Sequence, residues 1–257
     1  MRYIIYNLIR KLIKFFTKET IIGKEYNEYK KILYYERSQH LTFLFMPKIN
    51  YEEIIQKRLK HYIRQGDLVF DIGGNIGQYT LPFSELVGKT GTVVSFEPDY
   101  KNFAFLQFNV NINRCANVIC CNYGIGENDT ELDFFRDTKT GGRMGSFNKE
   151  YVRNKFEGFT EKLVVKKLDR IIEKYGEPTF VKIDVEGFEL DVIRGLTLNL
   201  QSCVFLIEVR AETKDNIFLY FKEKGFQCIW VDGNDKEINK AEEIPGFANL
   251  IFRKVID

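Results

Sequence analysis

Histidine is nearly absent, with only His40 and His61 in 257 residues. Both fall in stretches that read as helix or loop outside the core, so a histidine-centred triad is not expected. Cysteine is sparse and unpaired. Cys115, Cys120, Cys121, Cys203 and Cys228 make an odd count without C-x-x-C spacing, which argues against a disulfide scaffold and a structural zinc site. They lie mostly in apolar runs and read as buried, reduced thiols, which places the chain in a reducing compartment such as the cytoplasm. Prolines number five and the 19 glycines are dispersed, so no low-complexity linker is present. An excess of one charge is missing too. The 38 basic and 36 acidic residues give +2, too balanced for a claim on nucleic acid. At 44% hydrophobic and 29% charged residues, disorder and an integral membrane protein are poor readings.

The charge that is uneven lies in residues 1–18, which hold Arg2, Arg10, Lys11, Lys14 and Lys18 and no acid, leaving the remainder at −3. At the helical period, Ile5, Leu8, Ile9, Leu12, Ile13 and Phe16 share one face, and Arg10, Lys11, Lys14 and Lys18 the opposite one. The longest uncharged run, Tyr3 to Ile9, is too short to span a bilayer, and no signal-peptide cleavage pattern follows it. Two readings stay open. The helix packs on the domain or pairs subunits in a homo-oligomer, or it lies on anionic lipid as a peripheral membrane contact. From Tyr26 to about Gln65 the pattern reads as helical, broken at Met46-Pro47, with Ile54, Ile55, Leu59, Tyr62 and Ile63 at helical spacing. Residues 1–65 are therefore expected to be an N-terminal helical segment, and 66–257 the main domain.

From there the period changes. Short apolar runs recur at 68–72, 92–97, 118–122, 180–184, 203–209, 226–231 and 248–253, with helical stretches at 77–88, 101–113, 168–175, 188–196 and 213–224 between them. Alternating strands and helices imply a doubly wound α/β domain with a mainly parallel sheet of seven strands. No convincing helix separates the last two runs, so the last strand is expected to be antiparallel. Leu132–Phe135 and Leu163–Leu168 look like an inserted hairpin at about 130–168, with the glycine-bearing segment 136–161 between them.

In such a sheet ligands bind at the carboxyl ends of strands. The first end is Asp71-Ile-Gly-Gly-Asn-Ile-Gly77, where glycines allow a tight turn and close backbone approach. No register gives G-x-G-x-x-G, and no Gly-Lys-Ser/Thr follows. An acid in front of a cradle without a phosphate clamp suits an adenosine with an amino-acid tail. Glu97 closes the second strand, where an acid can accept both ribose hydroxyls.

Taken together, DIGGNIG (71–77), FEPD (96–99), Asn109 and Asn113, Leu168-Asp169, KIDVEGFE (182–189) and Glu208 resemble the FkbM-type S-adenosylmethionine-dependent methyltransferases over about residues 66–253. The resemblance implies a Rossmann-like class I methyltransferase fold and methyl transfer, usually to an oxygen of a sugar or polyketide-like acceptor. It implies S-adenosylmethionine held by Asp71, Gly73, Asn75, Gly77 and Glu97. By fold position, Asn122 and Tyr123 fall where adenine contacts lie. Gly74 stands where the family commonly has alanine, a change conservative in size. Residues 1–65 inherit nothing from the resemblance.

In the strand 180–184, Lys182, Asp184 and Glu186 share a side by the period of two. Charges there are costly unless paired, so a Lys182–Asp184 or Lys182–Glu186 pair that satisfies the sheet edge is one reading. In the other, the acids stand beside the methyl group, and Asp184, Glu186 or Glu208 takes the acceptor proton. Two acids, Asp184 and Glu186, could instead hold a divalent ion, although no third ligand is identifiable. Segment 136–161 interleaves basic residues with aromatic ones, Arg143, Phe147 and Tyr151 among them, and suits a lid over a glycan or small-molecule acceptor, including a lipid- or nucleotide-linked sugar. The competing readings are a non-catalytic nucleoside-binding or scaffolding protein, which the acids disfavour, and a nicotinamide oxidoreductase, which the loop disfavours.

Overall fold

The computed structural model describes residues 20–137, 145–152, 158–200 and 202–254. The expectations for residues 1–18 and for Arg143 lie outside the described residues.

The segment before residue 66 corrects the helical expectation. Strands β1 (Ile21–Glu25) and β2 (Ile32–Glu36) form an antiparallel hairpin with Ile21 opposite Glu36 and Glu25 opposite Ile32. One helical turn, α1 (Leu41–Leu44), and a true helix, α2 (Glu53–Tyr62), follow. In β2, Leu33 and Tyr35 are fully buried and alternate with half-buried neighbours. That period of two is short, and neighbouring tyrosines and isoleucines blur it in the sequence. Helix α2 buries Ile55 and Leu59, with Ile63 just beyond it, but leaves Ile54 exposed. His40, expected outside the core, is buried and stacked on Phe43 with ring centroids 5.7 Å apart.

The main sheet is built from β3 (Leu68–Ile72), β4 (Thr92–Phe96), β5 (Val118–Cys121), β9 (Phe180–Ile183), β10 (Val204–Arg210), β11 (Phe226–Trp230), β12 (Lys236–Ile238) and β13 (Phe247–Lys254). Their order is β12-β11-β13-β10-β9-β3-β4-β5. Strand pairs from β10 to β5 are parallel, and β13 runs antiparallel between β10 and β11. The sheet has eight strands instead of seven, because three-residue β12 adds to the edge beside β11, too short to show a period.

Successive residues of each strand feed opposite layers, so both faces are apolar. Phe70, Val181 and Phe205 pack with Ile171, Val192 and Phe221 on one side. These come from α6 (Leu168–Tyr175), α7 (Glu189–Arg194) and α8 (Lys214–Glu223). Val69, Phe180 and Leu206 meet Ile55, Leu59 and Phe83 on the other, from α2 and α3 (Thr80–Val87). The N-terminal hairpin packs through Leu33 and Tyr35 in a third cluster with Leu81, Leu106 and Val110, the last two on α4 (Tyr100–Ile112). Each fully buried apolar side chain of this kind contributes about 1.5–3 kcal/mol.

A second, small sheet lies over the carboxyl edge. Strands β7 (Thr130–Asp137) and β8 (Gly158–Lys167) are antiparallel, with Leu132 opposite Leu163, and β6 (Gly124–Gly126) joins β8 in parallel. Buried Arg136 ties this hairpin down: its guanidinium pairs with Asp99 and Glu161 and lies 3.6 Å over the Tyr100 ring. Within the insert, residues 145–152 carry the single turn α5 (Lys149–Val152). Among the described residues no helix is long and apolar enough to cross a membrane. The five cysteines are free, and all but half-buried Cys120 are buried.

Candidate active site

From β3 the chain passes to β4 on one side, while β9 pairs on the other, so the carboxyl ends of β3, β4, β9 and β10 frame a crevice. It holds a cleft with about 880 Å³ of open space, the solvent at its mouth included.

The glycine turn forms one wall. Gly73 and Gly74 both donate their N–H to Phe96 O at 2.9 Å. Gly73 has φ +89°, and a Cβ there would lie 1.9 Å from Asp184 O, so the turn and the β9 end are in backbone contact that only glycine permits. Gly74 is less interchangeable with alanine than its size implies, since its Cβ would meet Ser95 Oγ at 2.1 Å. Asn75 donates its N–H to Glu97 Oε2 at 2.8 Å, and Glu97 Oε1 accepts the Asp99 N–H at 2.9 Å. Glu97 lines the cleft from the end of β4. Burial, then the charge of Asp99, pushes its carboxyl up to about 8. Gly77 closes the turn by donating to Gly74 O. Asp71 is fully buried beneath it, bonded by Thr80 Oγ1 at 2.6 Å and in register with Lys182, and does not line the cleft.

Asn122 and Tyr123 do not line the cleft either. Asn122 Nδ2 holds the carbonyls of Glu97 and Pro98 at 2.9 and 3.0 Å, and Tyr123 packs behind Phe96. Pro98, Ile125, Phe134 and Phe147 form the apolar wall there. Only Phe147 of these was singled out in the sequence.

The opposite end carries the acids. Lys182 Nζ is buried and donates to Asp184 Oδ2 at 2.9 Å. Burial opposes its charge, but Asp184 and Asp71 outweigh burial and hold the ammonium protonated. Glu186, at φ +54°, accepts from Tyr151 OH at 2.6 Å and from Arg210 Nη2 at 2.7 Å. The same Arg210 nitrogen donates to Glu208 Oε1 at 2.6 Å. Burial, then the charge of Asp184, raises the Glu208 carboxyl to about 9. Glu189 folds back from the first turn of α7 and accepts the N–H of Gly187 at 2.9 Å, fixing the turn that presents Glu186. Burial pushes Glu189 up to about 7.

The insert covers this end. Ser146 Oγ donates to Glu186 O at 2.7 Å, Asn148 Nδ2 to Gly187 O at 2.8 Å, and Phe147 packs edge-on against Phe134 and tilted against Phe188. Across the cleft stand Tyr51 and Tyr79, with Glu52 behind them accepting from Tyr79 OH.

One carboxylate oxygen each from Asp184, Glu186 and Glu208 lies within 4.8 Å of the other two. The third acid that the sequence left unidentified for a cation is therefore Glu208. Lys182 pairs with Asp184, and Arg210 with Glu186 and Glu208, two cations against three acids. Arg210 was legible in principle: it sits two residues past Glu208 on one strand and so on the same side. Tyr51, Glu52 and Tyr79 carry no such signal.

The strand order, the glycine turn and the acid closing β4 define the class I methyltransferase architecture. Residues 71–228 match the methyltransferase FkbM domain, and the chain belongs to that family. It is 28% identical over 146 residues to Methyltransferase 1 of Beauveria bassiana, covering 50% of this chain and 57% of that protein. It is 26% identical over 160 residues to the hexuronic acid methyltransferase AglP of Haloferax volcanii, covering 61% of each. The chain thus spans about three fifths of the curated relatives it matches. Among solved structures it is similar to methyltransferase FkbM of Methylobacillus flagellatus, with 17% identity, a TM-score of 0.48, and coverage of 77% of this chain and 50% of that one.

Proposed function

We propose that the protein is an S-adenosylmethionine-dependent O-methyltransferase acting on a hydroxyl of a sugar or related small-molecule acceptor. The observation that carries this reading is the juxtaposition in one cleft of the Gly73–Gly77 turn and Glu97 at one end with Asp184, Glu186 and Glu208 at the other. The residues fit the donor: the turn presents its backbone to the cleft at Gly73 and Asn75, Glu97 lines the cleft at the end of β4 where a carboxylate can accept a ribose hydroxyl, and apolar side chains flank it. S-adenosylmethionine supplies a methyl group on an electrophilic sulfonium. The protein's part is to bind the donor, orient an oxygen, exclude water and remove a proton.

In this division of labour Lys182 fixes Asp184, and Arg210 and Tyr151 fix Glu186. Glu208, whose carboxyl is raised to about 9 by burial and then by the charge of Asp184, takes the acceptor proton. Phe134 and Phe147 keep water from their side of the cleft. Glu52, Asp184, Glu186 and Glu208 outnumber Lys182 and Arg210, which favours a neutral hydroxyl over a carboxylate at the transfer point. The two resident cations also favour transfer without a metal. Similarity to a hexuronic acid methyltransferase supports a sugar acceptor.

Incubation with methyl-labelled S-adenosylmethionine and a panel of glycosides tests the reading. Base-stable label on a hydroxyl is expected. Label only as a base-labile ester, or none on any glycoside, contradicts it.

A further inference from the structure

Glu52 holds a conformation that its own helix does not require. Its φ of 47° lies in the left-handed region, and as the residue capping α2 it makes no side-chain capping bond. Glycine or asparagine would adopt that backbone with less strain. Its carboxylate turns inward instead and accepts hydrogen bonds from the hydroxyls of Tyr79 and Tyr51, both lining the cleft. The Tyr79 ring in turn carries the Lys182 ammonium 4.6 Å from its centroid, and Lys182 holds Asp184. Glu52 also sits in the field of Asp184 and Glu208, an acid gathered among acids. A strained, inward-turned charge beside like charges persists where a site needs it.

We propose that Glu52 is a positioning residue for the acceptor: it locks Tyr51 and Tyr79 into one wall of the cleft, against which a hydroxyl-bearing sugar ring stacks. This rests on the O-methyltransferase reading above. The aromatic faces suit the apolar side of a sugar ring. Tyr51 and Glu52 lie ahead of the matched stretch 71–228 and Tyr79 lies within it, so the wall joins the N-terminal segment to the matched domain.

Glu52→Gly, alone and combined with Tyr79→Phe, tests this by three readouts: thermal midpoint, S-adenosylmethionine affinity, and label transfer to the glycoside panel. Released strain is expected to raise the midpoint of the double variant by roughly 2–4 °C. Donor affinity should stay within twofold while transfer falls at least tenfold through a higher acceptor KM. A lowered midpoint in both variants makes Glu52 a structural residue and overturns the proposal, as does transfer retained within twofold. A parent protein that binds the donor but labels no glycoside overturns the sugar reading instead, and the midpoint still decides the role of Glu52.

Discussion

Asn109 grips the backbone of Tyr34 with both ends of its side-chain amide: Oδ1 accepts the Tyr34 N–H at 2.7 Å and Nδ2 donates to Tyr34 O at 2.9 Å. One helical turn later Asn113 does the same to Ile32, at 2.8 and 2.7 Å. Helix residues four apart and strand residues two apart each share a side, so α4 serves as the hydrogen-bonding neighbour of β2. Asn109 Nδ2 also donates to Ile76 O at 2.8 Å. One amide therefore joins the N-terminal hairpin to the glycine turn.

Asn109→Ala should cost about 2–4 kcal/mol, because more than one backbone group loses its partner and each buried orphan costs about 1–3 kcal/mol. Urea denaturation measures the loss. Limited proteolysis should meanwhile shift toward residues 20–36. A variant as stable as the parent would mean that apolar packing alone seats the hairpin.

Glu97, raised to about 8 by burial, is largely protonated at neutral pH in the free protein. Accepting ribose hydroxyls requires the carboxylate, so donor binding should release a proton at pH 7. Calorimetry in buffers of different ionisation enthalpy reads this directly, and Glu97→Gln should abolish the buffer dependence. The same shift fixes the sign for stability. A folded pKa above the unfolded one stabilises at low pH, and that contribution fades as pH climbs through about 8. Glu189 at about 7 and Glu208 at about 9 act in the same direction. The free protein should therefore melt higher at pH 6 than at pH 9.

Methyl transfer should rise with pH toward an apparent pKa near 9, the environment-set value of Glu208. Glu208→Gln should flatten that limb and lower kcat by about 10²–10⁴ with donor affinity kept. Chelation by EDTA should leave the rate unchanged. A flat profile in the parent, or loss of activity restored by magnesium or manganese, would move the chemistry to a metal held by Asp184, Glu186 and Glu208.

Gly74→Ala should lower the melting temperature, because its Cβ would press on buried Ser95 Oγ, itself 2.9 Å from Thr80 Oγ1. Ser95→Ala in the same chain removes the clash, leaving 3.5 Å to the Ser95 Cβ position. The double variant should recover most of the loss, and additive losses would show that Gly74 is needed for another reason.

What was legible in the sequence follows physical range. The runs Leu68–Ile72 and Phe180–Ile183 announced themselves because burial on both faces leaves a single polar position in each, Asp71 and Lys182. The first-strand loop was equally plain, since positive φ at Gly73 and Gly77 needs glycine. β2 was not legible, because one of its edges pairs with β1 and the other is held by Asn109 and Asn113, more than 70 residues away in the chain. Asp71 read as a ligand residue because sequence places it at a strand end, but not how deep that end is buried. Glu52 could not be read at all: its meaning depends on Tyr79 and Lys182 meeting it across the cleft.

Titration calorimetry of the full-length protein with S-adenosylmethionine, with NAD as the control ligand, probes the donor site most directly. Saturable one-to-one binding of S-adenosylmethionine and no heat from NAD are expected. Glu97→Ala should weaken binding roughly tenfold to a hundredfold, the loss of a charged hydrogen bond of about 1.5–3 kcal/mol. A folded parent that gives no heat with S-adenosylmethionine, or binds NAD as tightly, would contradict the assignment of this cleft to a methyl donor.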